Sequence, residues 1–373
     1  MRPPDPSLVI GWDIGGAHVK AALLREGRVA EVAQWACPLW QGIEHLQRVL
    51  RSACARWPQL GAADHAVTMT GEMTDLFEHR EDGVQRIAAV LGSTLAPTRP
   101  DALHFFAGVA GAEAIGAEAR WCRAAEVGAH WAGIASANWL ATALHAAQRL
   151  DEGVLIDIGS TTTDLIAFRA GRVLGASRSD VERLASGELV YHGVVRTPLC
   201  ALGPRVEWRG AELNVMNEFF ATTADVYRLT GELDPAHDLH PSADGAPKDL
   251  PATRRRLARM IGLDARDASA DDWLAFARTW RHRQLDELAG QLRRVAAAHG
   301  LSGAAVAVSA GCGDFLVADI LARAGAPQRG LRYGRDIARI AEGAQPSSDA
   351  AARWAQVCAP AVAVATLLDT GRR

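Results

Sequence analysis

Apolar residues along this chain fall in short runs broken by glycine and small polar residues, the spacing of buried strands. Val154-Leu155-Ile156 and Leu165-Ile166-Ala167 form one such pair, enclosing the stretch Gly159-Ser160-Thr161-Thr162-Thr163-Asp164. A hairpin needs only about two residues to reverse a strand, so a turn of this composition has a further task. The pattern occurs twice. Asp13–Val29 (DIGGAHVKAALLREGRV) lies over Asp157–Val173 (DIGSTTTDLIAFRAGRV) at a constant offset of 144, with seven of 17 positions identical. Each copy reads as strand, small-residue loop, strand, a turn at Glu26-Gly27 or Ala170-Gly171, and a third strand. Two halves of like topology are expected, each opened by a β-meander.

Elsewhere the periodicity predicts helices over 41–56, 85–92, 112–121, 134–149, 251–261, 271–299 and 359–369. Strands are predicted over 66–69, 103–106 and 305–308, a strand pair within 186–200, and a helix within 214–233. Residues 233–252, dense in Pro, Asp and Gly, read as a loop or lid. At 373 residues the chain exceeds one ordinary core, and two domains of about 150–200 residues each are expected. The first is drawn over 1–150 and the second over 151–358 with an inserted subdomain near 175–300, leaving a connecting helix at 359–373.

Composition changes this picture little. A net charge of −3 gives no footprint for nucleic acid or an anionic membrane. No run reaches the roughly 18 apolar residues of a membrane span, and the N-terminus has no apolar core of a signal peptide. Cys37, Cys54, Cys122, Cys200, Cys312 and Cys358 are scattered without a CxxC pair, as in reduced thiols. A cytoplasmic protein is expected. Of 40 basic residues only Lys20 and Lys248 are lysine, so either one marks a place suited to a compact ammonium or falls there by chance.

Chemistry gathers at the repeated loops. Gly15-Gly16 and Gly159-Ser160 allow close approach of a ligand to backbone N–H groups, an anion-binding concavity. Ser160, Thr161 and Thr162 add hydroxyl donors for phosphate oxygens. Asp13 and Asp157 end their strands as candidates to hold Mg²⁺ or orient a nucleophile, and Lys20 and Asp164 close the loops at equivalent positions. Thr70, Glu72 and Asp75 in TGEMTD follow a strand end, where ligand sites of α/β folds form. Asn138 opens a helix, either as a cap or as a ligand contact. The turn Gly311-Cys312-Gly313 before Asp314 suits either a nucleotide or simple tight packing. His237, Asp238 and His240 are weakly spaced for a metal, and a solvated loop is the preferred reading.

In this order the pieces resemble the actin, sugar kinase and heat-shock ATPase superfamily. Phosphate loops at 13–20 and 157–164, a connecting helix at 134–147, an adenosine motif at 308–314 and a final helix at 359–369 carry the resemblance. Within it, GWDIGGAHVKAA, TGEMTD, SANWLATA, DIGSTTTDLI, ATTADVYRLTGEL and SAGCGDFL resemble the hydantoinase/oxoprolinase-related branch. They are most similar there to proteins of tetrahydromethanopterin-linked one-carbon metabolism and methanofuran or methylofuran biosynthesis. The resemblance implies a two-domain actin-like (ribonuclease H-like) α/β fold with a central cleft, where paired loops grip a polyphosphate. It also implies a transferase that joins a furanylmethyl diphosphate to a phenolic acceptor of γ-glutamyl-tyramine type, releasing diphosphate. Mg²⁺ would lie near Asp13 and Asp157, and Lys20 would neutralise the leaving group. Glu72, Asp164 and Asp75 are candidate bases, and Arg196 and Arg228 candidate carboxylate ligands. An ATP-dependent kinase or oxoprolinase, with Gly311 to Gly313 facing a nucleoside, remains open, as does a nucleotide-switched actin-like protein that is no enzyme. The oligomeric state is also open.

Overall fold

The computed structural model describes residues 8–109, 118–175, 177–326 and 329–372. Strands β1 (Leu8–Ile14), β2 (His18–Arg25) and β3 (Arg28–Ala36) form an antiparallel meander, joined by a turn with Glu26 at φ 53° and Gly27 at φ 76°. Both residues of that turn are left-handed, the two-residue form that matches strand twist. Helix α1 (Glu44–Arg56) leads to β4 (Asp64–Met69), parallel to β1. Helix α2 (Arg80–Leu95) leads to β5 (Leu103–Gly108), parallel to β4, and β6 (Ala119–Cys122) returns antiparallel. Helices α3 (Val127–Ile134) and α4 (Asn138–Ala147) follow.

The second meander is β7 (Glu152–Ile158), β8 (Thr163–Arg169) and β9 (Arg172–Val173), with Ala170 at φ 50° and Gly171 at φ 79° in the same kind of turn. After α5 (Asp180–Ser186) and β10 (Leu189–Val190) come the hairpin β11 (Arg205–Trp208) and β12 (Ala211–Asn214), then α6 (Thr223–Thr230), α7 (Leu250–Arg259) and α8 (Ala270–Ala298). The chain ends through β13 (Val306–Ala310), α9 (Val317–Ala324), β14 (Gly330–Arg332), β15 (Ile340–Gln345), α10 (Ser348–Val357) and α11 (Ala359–Gly371). The described strands make one sheet of order β15-β3-β2-β1-β4-β5-β6 and another of order β10-β8-β7-β13-β14, with β9 beside β8. A meander followed by strands added beside its first member occurs in both, the doubled actin-like α/β fold expected. Among the described residues no single helix is long and apolar enough to cross a membrane.

The chain divides into two compact units, Met1–Leu155 with Ile166–Arg183 and Leu331–Arg373, and Ile156–Leu165 with Leu184–Gly330. In the first, Trp12, Leu46, Leu50, Trp57, Val67, Ile87, Leu91 and Phe105 pack a continuous core under the sheet. Its opposite face is closed by α11, whose alanines and valines are buried from Ala359 to Ala365. The helix lies so close to β1 that a Cβ on Gly11 would stand 1.9 Å from the Ala361 carbonyl oxygen.

Several expectations need correction. The helix over 112–121 lies partly outside the described residues, and its described end is strand β6, where Trp121 pairs with Phe106 across the ladder at 5.4 Å between ring centroids. The helix over 134–149 is broken at Ser136, which adopts φ 51°, and restarts at Asn138. Within 186–200 only β10 is a strand, because the following backbone bonds to the second loop. Within 214–233, Asn214 ends β12 and helix begins only after Thr222, whose capping box with Asp225 satisfies the first turn. Left-handed Gly231 closes that helix.

A Gly11→Ala variant is expected to lose about 1–3 kcal/mol, the cost of forcing a methyl into a filled interior. Gly343→Ala, where a Cβ meets nothing within 4 Å, is the matched control. Urea denaturation of both proteins checks this, and equal midpoints would refute the tight β1–α11 contact.

Candidate functional site

In the first unit the loop after β1 is closed by a hydrogen bond from Gly15 N to His18 O of 2.9 Å. The segment after β4 packs directly on it. Thr70 N donates to Ile14 O at 3.0 Å, and a Cβ on Gly71 would lie 3.1 Å from that same oxygen. A Cβ on Gly16 would meet the Thr74 methyl at 2.7 Å. The glycines therefore let two loops meet backbone to backbone. Asp13, 5% exposed, stands opposite Lys20 in the ladder, and Lys20 Nζ is 3.9 Å from Asp13 Oδ2.

Glu72 is the most deeply buried carboxylate of this cluster, at 1% exposure. Its Oε1 accepts from Ser136 Oγ at 3.0 Å and lies 3.4 Å from an Arg80 nitrogen, while Oε2 makes no hydrogen bond among the described residues. Arg80 also donates to Ser136 Oγ at 2.9 Å and lies 3.6 Å from Asp180. Burial raises the Glu72 carboxyl above its ordinary range; its own backbone N–H, Arg80 and Ser136 pull the other way and only partly offset this. A buried carboxyl with one unpaired oxygen is suited to accept a proton. The structure thus gathers Asp13, Gly15, Gly16, Lys20, Thr70 and Glu72, and leaves Asp75 on an exposed turn. Asn138 is half-buried at the first position of α4, and its side chain accepts from Trp139 N at 2.9 Å. The preceding residue, Ala137, occupies the cap position.

The second unit repeats the arrangement. Gly159 N donates to Thr162 O at 2.8 Å, the bond equivalent to Gly15–His18, and Gly313 N donates to Ile158 O at 2.8 Å as Thr70 does to Ile14. Gly311, at φ 83°, lies where a Cβ would be 2.1 Å from Ile158 O and 2.5 Å from Asp157 Oδ1. Val194 N donates to Gly159 O, while Val195 N and Arg196 N both donate to Ser160 O, at 3.1, 3.0 and 2.8 Å. Ser160 and Thr161 hydroxyls are 3.4 Å apart. Asp157, Gly159, Ser160, Thr161, Thr162, Arg196, Gly311, Gly313 and Asp314 are therefore close to one another in the folded unit. Burial holds the Arg196 guanidinium below its ordinary pKa. Asp164 is half-buried on β8, opposite Leu189 of β10.

Other candidates are engaged elsewhere. Arg228 is bound to Asp225 at 2.7 Å, Thr253 at 3.1 Å and Asp238 at 2.5 Å, so it holds the insert together instead of receiving a ligand. Asp238 is also paired with Lys248 at 2.9 Å, and among the described residues no three His, Cys, Asp or Glu side chains form a metal-binding group. His237, Asp238 and His240 thus belong to a structured loop. Sequence reading did not single out Arg80 or assign Ser136 to Glu72: one is among many arginines, and the other acts through a left-handed backbone that its sequence does not announce.

A model of the hydantoinase/oxoprolinase family matches residues 64–338. The chain belongs to the hydantoinase/oxoprolinase family. Among its relatives is the (4-{4-[2-(gamma-L-glutamylamino)ethyl]phenoxymethyl}furan-2-yl)methanamine synthase of Methanocaldococcus jannaschii, 26% identical over 331 residues, which are 88% of this chain and 93% of that protein. The synthase of the same name from Methanococcus vannielii is 27% identical over 197 residues, 51% of this chain and 87% of that protein. Among solved structures, a nucleotide-free acetone carboxylase shares the fold with TM-score 0.51 at 11% identity, covering 83% of this chain and 66% of that chain.

The raised Glu72 pKa has a measurable sign. The folded protein holds this proton more tightly than the unfolded chain, so Glu72 favours folding fully below the ordinary carboxylate pKa of about 4.3. That contribution is lost as pH rises through the raised value. Glu72→Gln lacks the effect, so its stability relative to wild type is expected to climb across that window. Urea midpoints of both proteins from pH 4 to 8 check this, and parallel curves would show Glu72 to be unperturbed.

Proposed function

We propose that this protein is a transferase of furan-cofactor assembly that joins a furanylmethyl diphosphate to the phenol of a γ-glutamyl-tyramine-type acceptor. The observation that carries this reading is the match over 88% of the chain to the Methanocaldococcus synthase. That enzyme's name describes an ether between a furanylmethyl carbon and an aryl ring. In the reaction, a bond forms between the phenolic oxygen and the furanylmethyl carbon. The bond from that carbon to the diphosphate oxygen breaks, and its electron pair leaves with diphosphate. The phenolic proton passes to a base.

Glu72 fits the role of base. A free phenol has a pKa of about 10, and a carboxylate raised by burial is better matched to it than an exposed one. Arg80, beside Glu72, stabilises developing phenolate charge. The Gly16 N–H and the Lys20 ammonium in one unit, and the hydroxyls of Ser160, Thr161 and Thr162 in the other, are donors suited to phosphate oxygens, while Gly15 and Gly159 spend their N–H groups on closing their loops. Asp13 in the first unit and Asp157 in the second are each a single carboxylate that would suit Mg²⁺, because this ion keeps waters and binds largely through phosphate. When bound it would neutralise charge on the departing diphosphate. ATP is not required in this scheme.

Purified protein with Mg²⁺, a synthetic 5-(aminomethyl)furan-3-ylmethyl diphosphate and γ-glutamyltyramine is expected to release diphosphate only when the acceptor is present, with the ether detected by mass spectrometry. A parallel mixture of ATP and acceptor is expected to be inert, and ATP turnover without ether would overturn the reading. Glu72→Gln should lower the coupling rate about 10²- to 10⁴-fold, as for loss of a general base.

A further inference from the structure

Beside Glu72 the first unit holds a cavity that shares Arg80 with it. This cavity of about 560 Å³ is lined by Trp131, Trp139, Arg80 and Arg178, with Gly108 and Gly133 where β5 and α3 meet. This is within the roughly 300–1,000 Å³ of small-molecule sites. Its room depends on the two glycines: a Cβ on Gly133 would stand 2.5 Å from Gly108 O, and one on Gly108 would stand 3.1 Å from a Leu140 methyl.

Two features give the cavity a chemical direction. Trp139 is 3% exposed, and its indole N–H has no hydrogen-bond acceptor among the described residues. The Arg183 guanidinium lies 4.3 Å from the centre of the Trp139 rings and pairs with Asp180, which also holds Arg80. Arg80 in turn contacts Glu72 and Ser136. The cavity wall and the buried base are thus tied into one polar network. Arg178 is fixed by donating to the carbonyls of Val109, Gly175 and Ser177 at 3.3, 2.6 and 3.0 Å, which sets its guanidinium in place.

We propose that this cavity is the subsite for the phenolic acceptor, an inference that rests on the transferase reading. The acceptor's aromatic ring lies against Trp131 and Trp139, where flat apolar surface contributes most. Its phenolic oxygen meets Arg80, the arginine of this cavity that reaches Glu72. Its glutamyl carboxylate is taken by Nη2 of Arg178, since Nε and Nη1 are spent on the three carbonyls that fix the guanidinium. The glutamyl ammonium beside that carboxylate faces Glu182, which lines the same cavity, so both charges of the acceptor's zwitterionic head meet a partner there.

The test uses the full chain. Binding of γ-glutamyltyramine alone is followed by tryptophan fluorescence and calorimetry, and coupling kinetics are measured in Trp131→Ala, Trp131→Phe and Arg178→Ala. Trp131→Ala should raise the acceptor Kd and KM about tenfold, with Trp131→Phe restoring most of the loss, while KM for the furan diphosphate is unchanged. Arg178→Ala should abolish the preference for γ-glutamyltyramine over tyramine. If the wild type couples the substrates and neither alanine variant changes the acceptor KM, the subsite is wrong. It is equally wrong if the variants raise the furan diphosphate KM instead. If the wild type binds γ-glutamyltyramine, loses that binding in both alanine variants and forms no ether, the subsite stands and the transferase reading falls.

Discussion

The arrangement of both units depends on one backbone carbonyl. Ile14 O and Ile158 O end the first strand of each meander, and each accepts an N–H from the loop that follows a later strand. That loop reaches the carbonyl only because Gly71 and Gly311 have no side chain. A strand end that bonds sideways in this manner fixes two loops against each other at backbone distance. Every chemically useful group then follows from position. Asp13 and Asp157 directly precede the carbonyl, the small-residue loops directly follow it, and Glu72 and Asp314 stand just beyond the second partner.

Two buried ionic networks show how the same ingredients serve different ends. In the second unit, Arg256 bonds through Nε to Asp225 at 2.7 Å, and its other nitrogens reach Asp244, Pro247 O and Thr253. Asp225 is satisfied in turn by Arg228 and Thr222 N. All three Arg256 nitrogens and both Asp225 oxygens have partners, as a purely structural buried charge requires. Around Glu72 the pairing is incomplete: Oε2 of Glu72, Nε of Arg80 and the Trp139 N–H are buried with no hydrogen bond among the described residues. Unsatisfied polar atoms held by neighbours that are themselves well fixed are the mark of a site that completes its bonding with something else.

What was legible in the sequence was the part written locally and twice. Asp-Ile-Gly, the paired turns at Glu26-Gly27 and Ala170-Gly171, and the flanking apolar runs carry their own geometry, so the doubled meander and its small-residue loops could be read directly. Family membership was legible from these loops together with TGEMTD, SANWLATA, ATTADVYRLTGEL and SAGCGDFL. The interruption at Ser136 was not legible, because a left-handed residue within an alanine-rich helical pattern leaves no compositional trace. Nor was the irregular path through Val194, Val195 and Arg196, whose donors are consumed by Gly159 and Ser160 instead of by a neighbouring strand. Arg80 was hidden by abundance. In a chain that uses arginine for nearly every cation, the one that touches the buried carboxylate looks like all the others.

The seating of α11 against Gly11 has a consequence in time. The first unit closes over its sheet with a helix drawn from residues 359–371, and β15 at 340–345 extends the same sheet beside β3. These contacts span more than three hundred residues of chain, the kind of pairing that slows folding most. During synthesis, which runs from the N-terminus, all of the second unit has emerged before the first can bury Gly11. The opening meander therefore waits, its β1 face uncovered, while the segment that follows it in sequence is already able to fold.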